Sequence, residues 1–177
     1  MSRRYIEKLQ RLMPPPVQGG DEIDWGRLTQ STGWILPNDY QEFVQVYDGG
    51  DIDDCISVIT PPVPDSHYGD LLKDVESNFE EWPSVDVLID LLRGTSPPHL
   101  LPFAEGSSGD VAFWQILGTP NEWKIVVFRR QVPYGEERWH LFEGGMVQFF
   151  VEVLEGVNRS MGDFSGMTEH RFTSWRG

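Results

Sequence analysis

Residues 36–50 read Leu36-Pro37-Asn38-Asp39-Tyr40-Gln41-Glu42-Phe43-Val44-Gln45-Val46-Tyr47-Asp48-Gly49-Gly50. Tyr40, Phe43, Val44 and Tyr47 recur at i, i+3, i+4 and i+7, the spacing that gathers apolar side chains on one face of an α-helix. Pro37 suits the first turn, where its missing N–H is one the helix would leave unpaired anyway. Gly49-Gly50 is expected to close the helix. A stripe of this kind must bury against a second layer, and the flanking sequence indicates what that layer is.

Upstream, Tyr5, Leu9, Leu12 and Met13 form another helical stripe over residues 2–13, stopped by Pro14-Pro15-Pro16. Asp24 is placed to cap a short helix carrying Trp25 and Leu28, with Gly33 as its left-handed C-cap. Downstream the pattern changes to short strands. Residues 55–59 are β-branched and compact, and Pro61, Pro62 and Pro64 then rule out a continuing central strand. An acidic loop is expected over 65–81 and a helix over 84–94, with Val85, Leu88, Leu91 and Leu92 on one side. Residues 100–104, 111–117, 123–129 and 139–143 read as strands joined by links too short for crossover helices, so an antiparallel meander is expected. Met146, Phe149, Phe150, Val153 and Leu154 form the last strong helical stripe, which should pack on the sheet. Beyond Gly156 the chain is polar, with Phe172 and Trp175 either docked or disordered. The fold class is therefore α+β, a mainly antiparallel sheet packed against helices in a single domain.

The chain has 177 residues, with 28 acidic side chains against 14 basic ones and a formal charge of -14. Its aromatic content separates it from disordered acidic chains, so the charge belongs to a folded surface. Nucleic acid draws affinity from Lys and Arg neutralising phosphates, and this chain would repel it. Anionic membrane is disfavoured on the same ground. The single Cys55 excludes a disulfide scaffold, and the N-terminal residues lack the apolar run of a signal peptide, so a cytoplasmic setting is expected.

No motif for catalysis emerges. The four histidines are scattered, so no metal site is expected, and no cofactor. Asp51, Asp53 and Asp54 resemble the start of a calcium loop, but its sixth and twelfth positions are Ile56 and Pro62 where Gly and Glu are needed. An acidic turn is the simpler reading. Gly106-Ser107-Ser108-Gly109 lacks the Lys-Ser/Thr of a phosphate loop and reads as a hairpin turn. Charge position carries more information. Residues 51–110 hold thirteen acids and two bases, while 1–50 hold seven and five and 111–177 hold eight and seven. Clustering of this kind can steer a basic partner, the competing reading being solubility alone, which does not call for the charge to be concentrated in one segment. The candidate partner-binding residues are Asp51, Asp53, Asp54, Asp70, Asp74, Glu76, Glu80, Glu81 and Trp82, the tryptophan as an interface anchor.

The order of these elements resembles the SUKH superfamily, the Smi/Knr-type proteins. The resemblance rests on Ile23-Asp24-Trp25, on Leu36-Pro37-Asn38-Asp39-Tyr40-Gln41-Glu42-Phe43 and on Tyr47-Asp48-Gly49-Gly50. Leu101-Pro102-Phe103-Ala104 with Gly109-Asp110, and the run from Phe142 to Phe150, agree with it. It divides the chain into an N-terminal helix and Pro-rich link (1–20), a SUKH-like domain (21–156) and a tail (157–177). The resemblance implies binding and not catalysis. It implies an immunity protein that binds and neutralises a cognate toxin by occlusion, the toxin being a nuclease or another basic domain. The alternative it implies is a regulatory scaffold binding a cellular protein or peptide. Tyr40, Phe43 and Pro37 are expected to serve the core.

Overall fold

The computed structural model describes residues 2–61, 99–157 and 161–176, with the side chains of Ser2 and Thr32 left aside. The acidic loop expected over 65–81 and the helix expected over 84–94 lie outside these residues. Helix α1 spans Ser2–Leu12, α2 Trp25–Thr32, α3 Asn38–Tyr47 and α4 Met146–Leu154. The strands are β1 (Gly50–Ile52), β2 (Ile56–Val58), β3 (Leu100–Gly106), β4 (Val111–Gln115), β5 (Lys124–Phe128), β6 (Trp139–Phe142) and β7 (Phe172–Ser174). They form one antiparallel sheet in the order β6-β5-β4-β3-β2-β1-β7. The α+β architecture expected from the sequence is the one observed.

Local chemistry explains the helix ends. The Asp24 carboxylate accepts the Arg27 N–H at 2.9 Å, and Gly33, at φ 75°, donates its N–H to the Thr29 carbonyl. Helix α3 buries Tyr40, Phe43, Val44 and Tyr47, the four residues of the stripe. Its end differs from the expectation. Asp48, not a glycine, is the cap residue that takes a positive φ, at 63°, and Gly50 opens β1. The two glycines answer a different need: a Cβ on Gly50 would sit 2.4 Å from the Thr173 carbonyl oxygen of β7, and one on Gly49 would crowd Thr60 and Trp175.

Meander strands β1 to β6 follow chain order, and β7 returns to pair with β1. Pro102 lies inside central strand β3, and the ladder to β4 accommodates it with a register shift between Pro102 and Ala104. Gly109, at φ 89°, completes the hairpin turn read at 106–109. Ile52, Ile56, Val58, Leu101, Phe103, Trp114, Ile125, Val127 and Phe142 form one face of the core with residues of α1, α3 and α4. Phe103 meets Phe149 and Phe150 of α4 at ring separations of 6.3 and 6.0 Å. Helix α4 is apolar on almost every side because it packs on the sheet, on α1 and on α3. Val111, Phe113 and Phe128 form a second cluster on the other face, with Leu100 and Trp139 half-buried against it.

Candidate partner-binding surface

The β1–β2 hairpin turns through Asp53 and Asp54, both with φ near 50°, and the Cys55 N–H donates to the Ile52 carbonyl. Two consecutive positive φ values define a type I′ turn, whose twist suits a tight hairpin and which Asp tolerates better than most residues. Asp51, two positions back, projects from β1 on the same face as Ser57, its register partner. The structure thus brings together Asp51, Asp53 and Asp54. Asp70, Asp74, Glu76, Glu80, Glu81 and Trp82 lie outside the described residues.

All three aspartates face residues 161–176, a contact that the sequence did not announce. Asp51 accepts the Ser57 hydroxyl at 2.7 Å and the Trp175 indole N–H at 2.8 Å. Asp53 accepts backbone N–H groups of Thr168, Glu169 and Arg171 at 3.1, 3.1 and 2.7 Å. Partial burial alone would raise its pKa, but the N–H groups of residues 168–171 outweigh that and hold it below the ordinary Asp value. The stabilisation is complete above the unfolded value near 3.8 and is lost as the pH falls through the lower folded value. Asp54 pairs with the Arg171 guanidinium. Farther along the sheet, buried Asp110 accepts the N–H groups of Arg130 and Asp163, and Asp163 accepts that of Ser108.

Two further carboxylates, Asp21 and Asp48, are 2% and 0% exposed. Arg176 Nη1 lies 2.6 Å from Asp21 Oδ1, an ion pair too poorly directed to count as a hydrogen bond to that oxygen. Asp48 accepts the Ser174 hydroxyl at 2.7 Å on one oxygen, and its other oxygen has no hydrogen-bond partner among the described residues. Burial pushes the Asp48 pKa up to about 6, opposed by Ser174, while Asp21 raises it and Arg176 lowers it. A folded-state pKa above the unfolded value means that the folded protein binds the extra proton, so stability falls as the pH rises between 3.8 and about 6. We expect Asp48→Asn to remove about 1–2 kcal/mol of that loss, a figure discounted for solvent screening. Urea unfolding at pH 4 and pH 7 reads it as a smaller difference than in the parent chain, and an identical difference would contradict it.

Arg171, Ser174, Trp175 and Arg176 are the residues that sequence reasoning missed. The available signal was the run Arg171-Phe172-Thr173-Ser174-Trp175-Arg176, β-prone and flanked by cations in an otherwise acidic chain. Among the described residues no three His, Cys, Asp or Glu side chains group to hold a metal ion, and no helix is long and apolar enough to cross a membrane.

A family model described as SMI1-KNR4 cell-wall (SUKH_6) matches residues 24–140, from the Asp24 cap through α3 and the meander into β6. No curated protein and no solved structure gives a match.

Proposed function

The chain belongs to the SMI1-KNR4 cell-wall family of the SUKH superfamily, and from that membership we propose that it is a non-catalytic cytoplasmic binding protein. Its role is that of an immunity protein that captures a basic toxin domain and occludes the surface the toxin uses on its own substrate. The observation that carries the choice of a basic partner is the acidic excess of residues 51–110.

Intrachain bonding leaves most of that field in place. The donors to Asp51 and Asp53 are neutral hydroxyl, indole and backbone groups, which bring no compensating positive charge. Only Asp54 is offset by a guanidinium. Long-range steering depends on charge and not on free oxygens. By sequence, residues 62–98 add eight acids against two bases, including Asp70, Asp74, Glu76, Glu80 and Glu81. Direct contact in this reading falls to those residues and Trp82, with Asp51, Asp53 and Asp54 contributing field.

Co-expression with the toxin encoded beside the gene is expected to restore growth and to yield a co-purifying complex. Reversing Asp70, Asp74, Glu80 and Glu81 together should slow association about tenfold at low salt and flatten its salt dependence. Association rates that ignore both salt and these reversals would remove the steering component. The cell-wall description of the matched family favours a second reading, a regulatory scaffold for a cellular protein. A gene with no toxin neighbour, and a protein that rescues no toxin-expressing cell, would point there.

A further inference from the structure

We propose that the β1 edge is a peptide-recognition groove in which the chain's own residues 171–176 sit as a resident ligand, and that an extended basic and aromatic segment of a partner replaces them. The proposal holds whether or not that partner is a toxin.

Recognition along this edge is residue by residue. Phe172, Thr173 and Ser174 pair with Ile52, Asp51 and Gly50. The Asp53 N–H donates to the Arg171 carbonyl at 2.9 Å, and the Trp175 N–H donates to the Gly49 carbonyl at 3.0 Å. Phe172 enters an aromatic recess with ring separations of 5.2 Å to Tyr47 and 6.1 Å to Phe43. Asp48 takes the Ser174 hydroxyl, Asp51 takes the Trp175 indole, and Asp54 and Asp21 hold the two terminal cations, Arg171 and Arg176. Main-chain pairing for affinity and side-chain pockets for specificity is the logic of strand addition at a sheet edge.

Two observations make the resident exchangeable. Its ladder is three residues long, and Phe172, itself 9% exposed, is its one buried apolar side chain, so it is held mainly by polar and ionic contacts. The groove also bears more charge than the resident neutralises. Asp21, Asp48, Asp51 and Asp54 face two guanidinium groups, and one oxygen of fully buried Asp48 has no hydrogen-bond partner among the described residues. An incoming strand with one more donor or cation than Arg171–Arg176 would complete the site.

Hydrogen exchange on the intact wild-type chain tests whether the resident leaves. The Asp53 and Trp175 amides should exchange at least about a hundredfold faster than those of β4 and β5, through local opening. Equal protection would overturn the proposal. A labelled peptide of residues 169–177 tests the groove itself. The resident competes at a high effective concentration, so the Phe172→Ala variant of the intact 177-residue chain should bind the peptide at least about tenfold tighter than wild type. Adding Asp51→Asn to that variant should weaken binding, as should salt. Equal affinity for wild type and Phe172→Ala, or no binding by a Phe172→Ala chain whose β4 and β5 amides stay protected, would overturn it.

Discussion

Phe43→Ala is expected to lower the unfolding free energy by about 3–5 kcal/mol, the range for removing a fully buried phenylalanine. Phe43 has no exposed surface. It stacks on Tyr47 at 4.9 Å, leans on Phe150 at 5.7 Å and meets the edge of Phe172 at 6.1 Å. One ring therefore joins α3, α4 and β7, and none of the three can close the void without leaving another contact. Each aromatic pair adds roughly 0.5–1.5 kcal/mol beyond the area it buries. Against a total stability of roughly 5–15 kcal/mol, such a loss brings the domain close to unfolding at growth temperature. Urea denaturation followed by tryptophan fluorescence measures it, and a change under about 1 kcal/mol would mean that the three-way junction contributes little.

Asp39→Ala is expected to cost about 1.5–3 kcal/mol, because it orphans N–H groups that end in a carboxylate. Asp39 lies in the first turn of α3, yet one of its oxygens accepts the N–H of Val147, at the start of α4, at 3.2 Å. The other accepts the Tyr40 N–H at 2.9 Å. Burial pushes its pKa up, and the N–H groups of Val147, Tyr40 and Met146 oppose that shift. One side chain thus serves the N-termini of two helices about a hundred residues apart, where negative charge also meets the favourable end of each helix dipole. Gly145 makes room for it, since a Cβ there would sit 2.4 Å from Asp39 Oδ2. Gly145→Ala should therefore destabilise the parent chain but cost much less in the Asp39→Ala background, the signature of two residues acting through one contact. Strictly additive losses in the four-variant cycle would refute the shared clamp.

The legible part of the fold was the part governed by near neighbours in sequence. The stripe Tyr40, Phe43, Val44, Tyr47 is read by one helix face, the Asp24 cap by a donor three residues on, and the meander by short links. The SUKH resemblance draws on these stretches and on the run from Phe142 to Phe150, and the family match covers residues 24–140, which leaves that last run outside it. Misreading began where a distant partner decides. Gly49-Gly50 looked like a helix stop because nothing nearby shows that β7 will lie against Gly50 and exclude any side chain. Strand β7 itself is three residues long, too short for alternation to show, so the sequence alone does not decide whether Phe172 docks. The aspartates of the hairpin were legible as an acidic turn. Their engagement with Trp175 and the backbone of residues 168–171 was not, since neutral donors leave no mark in a charge count.

The return of β7 to β1 also sets a timetable. Ile52 pairs with Phe172, 120 positions later in the chain. At roughly 5–20 residues per second, a ribosome needs about 6–24 s to supply that partner after β1 emerges. In that interval α1 and α3 can pack on one another and the β1–β2 hairpin can form, since these particular contacts span short stretches of chain and loop closure is cheap. The outer edge of β1 then waits with its N–H and C=O groups unpaired, next to the aromatic recess of Phe43 and Tyr47. Newly made chains crowded on one message share this state, and an unpaired edge is a template for the wrong strand. The carboxylates beside that edge repel one another from chain to chain, which guards the nascent sheet until its own arginine-flanked strand arrives.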